Sequence, residues 1–120
     1  MRLVRVINRT RGTVLAERAE VAASMWSRFW GLMGRTDLPT GNGLVLRPGG
    51  GIHTWFMRIP IDVVHVDKQD QVTHVLRAIK PWRFGPLFVG SRYAIELPAG
   101  AAISTQPGDE IVIEPITSNS

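Results

Sequence analysis

Short runs of apolar residues, each broken by glycine, proline, asparagine or aspartate, recur along the whole chain. Several runs alternate apolar with polar residues or are rich in valine and isoleucine, which is the pattern of β-strands. They predict strands at residues 3–8, 13–21, 44–46, 52–58, 61–67, 71–79, 92–97 and 110–114. Strands this short, separated this regularly by turns, indicate an antiparallel barrel or sandwich rather than a β-α-β sheet.

One segment changes from the strand period to the helix period. Its bulky apolar residues recur at positions i, i+3, i+4 and i+7: Trp26, Phe29, Trp30 and Met33. This spacing predicts a helix over residues 24–33 with one apolar face. Ser24 suits the N-cap, and Gly34 suits the left-handed position that ends many helices. We interpret the apolar stripe as core packing rather than as a platform for a ligand.

The predicted fold class is therefore a mostly β domain, either an antiparallel β-barrel or a jelly-roll-like sandwich, with one or two short helices. A chain of 120 residues is long enough to bury one hydrophobic core, which predicts a single domain over residues 1–116. Residues 98–106 are predicted as a loop with room for one helical turn. The polar residues 117–120 are predicted as a frayed tail.

Composition excludes several classes of protein and of site. The chain is 44% hydrophobic and 20% charged, which is typical of a folded globular domain. No apolar run approaches the roughly 18 residues that a membrane-spanning helix needs. The absence of cysteine excludes disulfides, thiolate nucleophiles and zinc–cysteine sites. The N-terminus mixes charged with apolar residues instead of showing a signal sequence, so we expect a cytoplasmic protein unless a leader precedes it.

Charge is unevenly distributed along the chain. Residues 1–35 carry seven arginines against two glutamates, whereas the remainder is close to neutral. A basic arm of this kind can contact nucleic acid, although a solvated arginine-rich surface gives the same pattern. We therefore regard nucleic-acid contact as the third and weakest functional hypothesis.

Two carboxylates fall where a strand pattern predicts burial. Successive side chains of a strand point to opposite faces, so Asp62 shares its face with Val64 and Val66. By the same rule Glu96 shares its face with Ala94 and Pro98. A buried carboxylate is costly unless it is paired, so each residue either holds a loop through hydrogen bonds or belongs to a functional site.

Aromatic and charged residues elsewhere extend this candidate site. Indole rings stack on sugar C–H surfaces, and an arginine fork binds carboxylate or phosphate. The candidate ligand-binding residues are His53, Trp55, Asp62, Trp82, Arg83 and Glu96. The two remaining histidines, His65 and His74, are expected to lie half exposed in ordinary strands.

Two functional hypotheses follow from these residues. The first is a small β-barrel that binds a small polar or anionic molecule, such as a carbohydrate, without catalysis; it predicts no metal and no cofactor. The alternative is a hydrolase or lyase in which Asp62 and Glu96 act as an acid–base pair or as metal ligands, assisted by His53. The oligomeric state is left open.

Several separated motifs occur in an order that is similar to one known family. They are RFWGLMGR at 28–35, GLVL at 43–46, HTWFM at 53–57, IPIDVV at 59–64, PWR at 81–83, ELPAG at 96–100 and PGD at 107–109. The chain thereby resembles DUF192, a bacterial and archaeal family of unknown function. The resemblance implies a mostly antiparallel β-barrel or jelly-roll-like domain with small helices. It implies no catalytic residue. Export signals occur among its members, but this N-terminus shows none.

Overall fold

The computed structural model describes residues 2–22, 38–47, 60–79 and 91–116. Seven strands within these ranges form one sheet. They are β1 (Leu3–Asn8), β2 (Thr13–Ala22), β3 (Asn42–Leu46), β4 (Ile61–Val66), β5 (Val72–Ile79), β6 (Tyr93–Pro98) and β7 (Ile111–Pro115). Their order across the sheet is β5-β4-β6-β3-β2-β1-β7.

The mostly β class is confirmed, and each of these strands lies within two residues of its predicted bounds. The described ranges contain turns but no helix, and residues 99–104 form turns within the loop predicted at 98–106. The predicted helix at 24–33 and the predicted strand at 52–58 lie outside the described residues.

The sheet is mostly antiparallel, as predicted, with one parallel pair. β2 and β3 pair in parallel, with Ala19 opposite Gly43 and Val21 opposite Val45. A parallel pair requires a long connection that returns the chain to the same end of the sheet. The chain between Ala22 and Asn42 is long enough to provide it.

The sheet is curled so that its two edge strands meet at one point. Gln71, just before β5, forms a β-bridge with Glu110, just before β7. Backbone hydrogen bonds reinforce the junction: the Ile111 N–H donates to the Asp70 carbonyl at 2.8 Å, and the Val72 N–H donates to the Asp109 carbonyl at 2.8 Å. The architecture is therefore a half-barrel of seven strands.

Apolar side chains are buried on both faces of this sheet. We call one face the inner face; every strand contributes to its cluster, which includes Val4, Leu15, Val45, Val64, Val72, Ile95, Leu97 and Ile111. We call the other the outer face; its cluster contains Leu38, Leu44, Leu46, Ile61, Val63 and Ala94. Among the described residues, the buried strand residues of the outer-face cluster come from three neighbouring strands, β4, β6 and β3.

A buried polar network ties the end of β1 to the turn before β7. The Asn8 amide donates to the Thr105 hydroxyl at 3.1 Å and to the Asp109 carboxylate at 2.9 Å. Arg11 Nε donates to the same carboxylate oxygen at 2.7 Å, and the Gln106 N–H donates at 2.9 Å. Burial raises the pKa of Asp109, but these hydrogen bonds outweigh burial and hold it below its usual value.

Candidate functional site

Asp62 binds backbone amides on two separate segments. It lies in β4 and is 1% exposed. Its Oδ1 accepts a hydrogen bond from the Ala78 N–H at 2.8 Å, and its Oδ2 accepts from the Gly100 and Ala102 N–H groups at 3.0 Å each. One carboxylate thus binds N–H groups at the end of β5 and in the turn after β6. This is the loop-holding role that was one of the two alternatives for Asp62 in the sequence analysis.

Glu96 lies at the centre of the outer face. In the sheet register it is opposite Leu44 of β3 on one side and Val63 of β4 on the other. Residues directly opposite each other in antiparallel strands share a face. Both neighbours belong to the outer-face cluster, and Glu96 itself is 2% exposed. Glu96 is therefore buried in the middle of an apolar sheet face.

Residues that lie directly opposite one another on neighbouring strands form rows across the outer face, and the row next to that of Glu96 is also mostly apolar. Ala94 of β6 is opposite Leu46 of β3 and His65 of β4. On the other side of Glu96, Pro98 is opposite Ile61. Among the residues of β3, β4 and β6 in these three rows, Glu96 and His65 are the ionisable ones. The rows continue to Glu20 of β2, which is opposite Leu44, and to His74 of β5, which is opposite His65.

Asp62 and Glu96 point to opposite faces of the sheet. Asp62 is opposite Leu97, an inner-face residue, and hydrogen-bonds the amide of Ala102, which belongs to the same cluster. Glu96 is opposite outer-face residues, as described above. The structure therefore places the two carboxylates on opposite faces of the sheet rather than on one face.

His65 is completely buried, which corrects the expectation that it is half exposed. The strand alternation gave the right face, but it could not show that this part of β4 is buried on both faces. Its Nδ1 lies 2.9 Å from the Ser91 hydroxyl, which ties residue 91 to β4. Burial, and then the charge of His74, lower the pKa of His65 from 6.5 to about 4, so its imidazole is neutral at neutral pH. His74 is exposed.

Four candidate residues, His53, Trp55, Trp82 and Arg83, lie outside the described residues. The structure does describe residues close to the two ranges that contain them. Ile61, close after residues 48–59, belongs to the outer-face cluster, and Ile79, directly before residues 80–90, packs against it. The described residues that flank these two ranges, Ile61 and Ile79, therefore lie on the face that carries Glu96.

The apolar residues that surround Glu96 on the outer face were not predicted as part of a site. Leu44, Val63 and Ala94 appear in the sequence only as ordinary strand residues. The alternation within β6 placed Glu96 beside Ala94, but the pairing with β3 and β4 is non-local and has no sequence signal. Within the described ranges, no group of three histidine, aspartate or glutamate side chains is arranged to hold a metal ion.

Three arginines of the basic N-terminal region form ion pairs. The pairs are Arg5–Glu17 at 3.2 Å, Arg9–Glu110 at 3.1 Å and Arg11–Asp109 at 2.7 Å. These pairs neutralise part of the charge of the basic region. Contact with nucleic acid stays a prediction. In the ranges that the structure describes, no helix is long and apolar enough to cross a membrane.

The fold and these side chains define a class: a small β half-barrel with one carboxylate that holds a turn and another that lies on an apolar sheet face. The DUF192 family model, described as "Uncharacterized ACR, COG1430", matches residues 6–113. The chain therefore belongs to the DUF192 family, as its motifs indicated.

Relatives of known sequence and structure agree with this assignment. A UPF0127 protein of Thermococcus sibiricus is 35% identical over 112 residues, spanning 88% of this chain and 72% of its own length. A UPF0127 protein of Pyrococcus furiosus is 31% identical over 115 residues, spanning 88% of this chain and 95% of its own. A crystal structure of a protein of unknown function from Novosphingobium aromaticivorans shares the fold, with a TM-score of 0.78 and 24% identity over 92% of this chain and 83% of that one.

Proposed function

We propose that this protein is a binding module for a small polar or anionic molecule, such as a carbohydrate, and that the ligand sits on the outer face of the half-barrel. The observation that carries this proposal is the position of Glu96. Its carboxylate lies at the centre of an apolar surface, between Leu44 and Val63. Small-molecule sites typically combine an apolar lining with a few convergent polar groups.

The position of Glu96 on the sheet, rather than its energetics, supports a functional role. A buried ionisable residue on an apolar face occurs in functional sites as well as in structural networks. The three hydrogen bonds of Asp62 to backbone amides give Asp62 a structural role.

The candidate residues beyond the described ranges supply the remaining chemistry of this proposal. Trp55 and Trp82 would stack on a sugar ring, while His53 and Arg83 would contact its polar groups. The support is that the described residues next to these ranges pack on the outer face, as Ile61 and Ile79 do. Asp62 contributes indirectly by holding the turn that follows β6.

Isothermal titration calorimetry against a panel of monosaccharides and small metabolites tests the proposal. We expect at least one binder, and we expect Glu96→Gln, Trp55→Ala and Trp82→Ala each to weaken it by about tenfold or more, since each removes a direct ligand contact. Glu114→Gln is the matched control, because Glu114 is an exposed carboxylate on β7. Circular dichroism shows whether each variant is folded.

The proposal fails if no compound binds. It also fails if a compound binds with the same affinity to wild type, to Glu96→Gln and to Glu114→Gln, because Glu96 then makes no contact with the ligand.

A further inference from the structure

We propose that the Arg47 guanidinium binds a small oxyanion, either a carboxylate or a phosphate group, at the end of the half-barrel where β3 ends and β6 begins. Arg47 directly follows β3, in which Val45 belongs to the inner face and Leu46 to the outer face. By the strand alternation Arg47 is on the inner-face side. The site is therefore separate from the outer face around Glu96 and goes beyond the proposed function.

The Arg47 side chain is stacked on an aromatic ring. Its Cζ atom lies 5.3 Å from the centre of the Tyr93 ring, which is within the range of a cation–π contact. Tyr93 is buried in the inner-face cluster, and its hydroxyl donates a hydrogen bond to the Asp70 carboxylate at 3.3 Å. Because the core and Asp70 fix the ring, the ring in turn restricts the orientation of the guanidinium.

The N–H donors of Arg47 lack acceptors in the described part of the chain. Its Nε is buried without a hydrogen-bond partner, and none of the ion pairs among the described residues includes Arg47. Since Nε is buried, the donors that a ligand can reach are those of the two terminal nitrogens. They form a planar fork that matches the two oxygens of a carboxylate or of a phosphate.

Two carboxylates near this site are already bonded to other donors. Asp67 and Asp70 belong to the turn between β4 and β5, and their charges act on Tyr93 together with that of Arg47. Asp67 accepts two backbone N–H bonds within the turn, and Asp70 accepts the Tyr93 hydroxyl. Neither carboxylate forms an ion pair with Arg47, so the acceptor that its guanidinium lacks has to come from a ligand.

Two exposed cations offset the charge of these carboxylates. Lys68 lies in the same turn, and Arg92 directly precedes β6. With Lys68 and Arg92 set against Asp67 and Asp70, the charge of Arg47 is left in excess. Within the described residues neither Lys68 nor Arg92 is stacked on an aromatic ring, so Arg47 differs from them in being held in place.

Stacking makes Arg47 a better anion receptor than a freely moving arginine. A ligand that fixes an exposed side chain reduces its rotamer entropy, whereas the Arg47 side chain is already restricted by Tyr93. The ring and the burial of Nε also keep water from part of the guanidinium, so its attraction to an anion is less screened. We therefore expect selective binding at Arg47 and none at Arg92.

An NMR titration with two probe anions tests the inference on the wild-type protein. The Nε–Hε signal of Arg47 is followed in proton–nitrogen correlation spectra while inorganic phosphate or acetate is added at neutral pH and constant ionic strength. We expect a saturable shift with a Kd of about 10 mM or tighter for at least one anion. Tighter binding of acetate identifies a carboxylate ligand, and tighter binding of phosphate identifies a phosphate ligand. A shift that does not saturate, or that is no larger than that of Arg92, overturns the inference.

Matched lysine variants separate the guanidinium from simple charge attraction. Arg47→Lys keeps the positive charge but loses the planar fork, so the affinity, read from the backbone amide signals of Leu46 and Tyr93, should fall by about fivefold or more. Arg92→Lys is the control and should leave the affinity unchanged. If Arg47→Lys binds as tightly as the wild type, or if both variants weaken binding equally, the inference is overturned.

A further variant distinguishes this inference from the proposed function. Glu96→Gln changes the opposite face of the sheet and should leave the response of the Arg47 signal unchanged. If Glu96→Gln abolishes oxyanion binding, the anion belongs to the outer-face site and the inference is overturned. If an oxyanion binds at Arg47 while no compound of the panel binds the outer face, the inference stands and the proposed function fails.

Discussion

Replacing Asp62 by asparagine should destabilise the protein strongly, because this side chain joins β4 to the end of β5 and to the turn after β6. Its two oxygens accept backbone hydrogen bonds from Ala78, Gly100 and Ala102, at distances between 2.8 and 3.0 Å. An asparagine keeps only one acceptor oxygen. Whichever way its amide group is turned, its NH2 group faces at least one of these N–H donors.

The magnitude follows from the number of contacts that are lost. In its better orientation, Asp62→Asn directs its oxygen at Gly100 and Ala102 and its NH2 at the Ala78 N–H. One hydrogen bond to a charged acceptor, worth about 1.5–3 kcal/mol, is then lost, and the other two are weakened. We therefore expect the free energy of unfolding to fall by about 3 kcal/mol, and by more in Asp62→Ala, which leaves all three amides without this acceptor.

Urea denaturation followed by circular dichroism measures this change. Asp67→Asn is a matched control, because the Asp67 carboxylate also accepts two backbone N–H bonds, from Gln69 and Gln71, but in an exposed turn. Water can replace those bonds, so the control should lose less than about 1 kcal/mol. Equal losses at Asp62 and Asp67 would refute the argument that burial makes the three-amide contact of Asp62 important.

Three further predictions concern stability. The pKa of His65 is lowered to about 4 in the folded protein, so the unfolded chain binds a proton at this residue first as the pH falls. The free energy of unfolding, measured in urea, should therefore drop by about 3 kcal/mol between pH 6.5 and pH 4. His65→Gln should reduce this pH dependence, whereas His74→Gln should not. The pKa of Asp109 in the folded protein is held below its usual value. Its contribution to the free energy of unfolding is therefore present above the pKa of the unfolded chain and is lost as the pH falls through the pKa of the folded protein. Asp109→Asn should abolish this loss of stability at acid pH, and an unchanged dependence of stability on acid pH would contradict the prediction. Ala78 has a φ of 52°, a left-handed backbone conformation that is unfavourable for residues other than glycine. Ala78→Gly should therefore raise the free energy of unfolding by up to about 1 kcal/mol. Thermal denaturation measures the change, and a lower melting temperature would contradict the prediction.

The strands could be predicted from the sequence because their signals are local. The alternation in β4 placed Asp62 with Val64 and Val66, and the alternation in β6 placed Glu96 with Ala94; the clusters on the two faces confirm both arrangements. The turn residues between the runs located the strand ends. These features depend only on neighbours in the chain.

The pairings could not be predicted, because they join distant parts of the chain. The donors to Asp62 lie 16, 38 and 40 residues further on, and nothing in the local sequence selects them. The parallel pairing of β2 with β3 likewise depends on the path of a long connection. The separation of Asp62 and Glu96 onto opposite faces becomes visible only when the register of β4 against β6 is known.

The close approach of β3 to β6 beside Glu96 is a further non-local feature. A Cβ atom at Gly43 would lie 3.0 Å from a Leu97 methyl group and 3.1 Å from the Glu96 carbonyl oxygen. Glycine at this position therefore lets β3 pack against the strand that carries the candidate carboxylate. In the sequence, Gly43 appeared only as a turn residue before a short strand.

The most direct test of the central claim, that the ligand sits on the outer face around Glu96, is methyl NMR during titration with the tightest binder from the sugar panel. Because neighbouring residues of one strand point to opposite faces, the inner-face methyl groups are the control for the outer-face methyl groups of the same strands. We predict that the methyl signals of Leu44 and Val63 shift, while those of Val45 and Val64 on the inner face do not. Shifts confined to the inner-face methyl groups, or absent from both faces while the ligand binds, would contradict the claim.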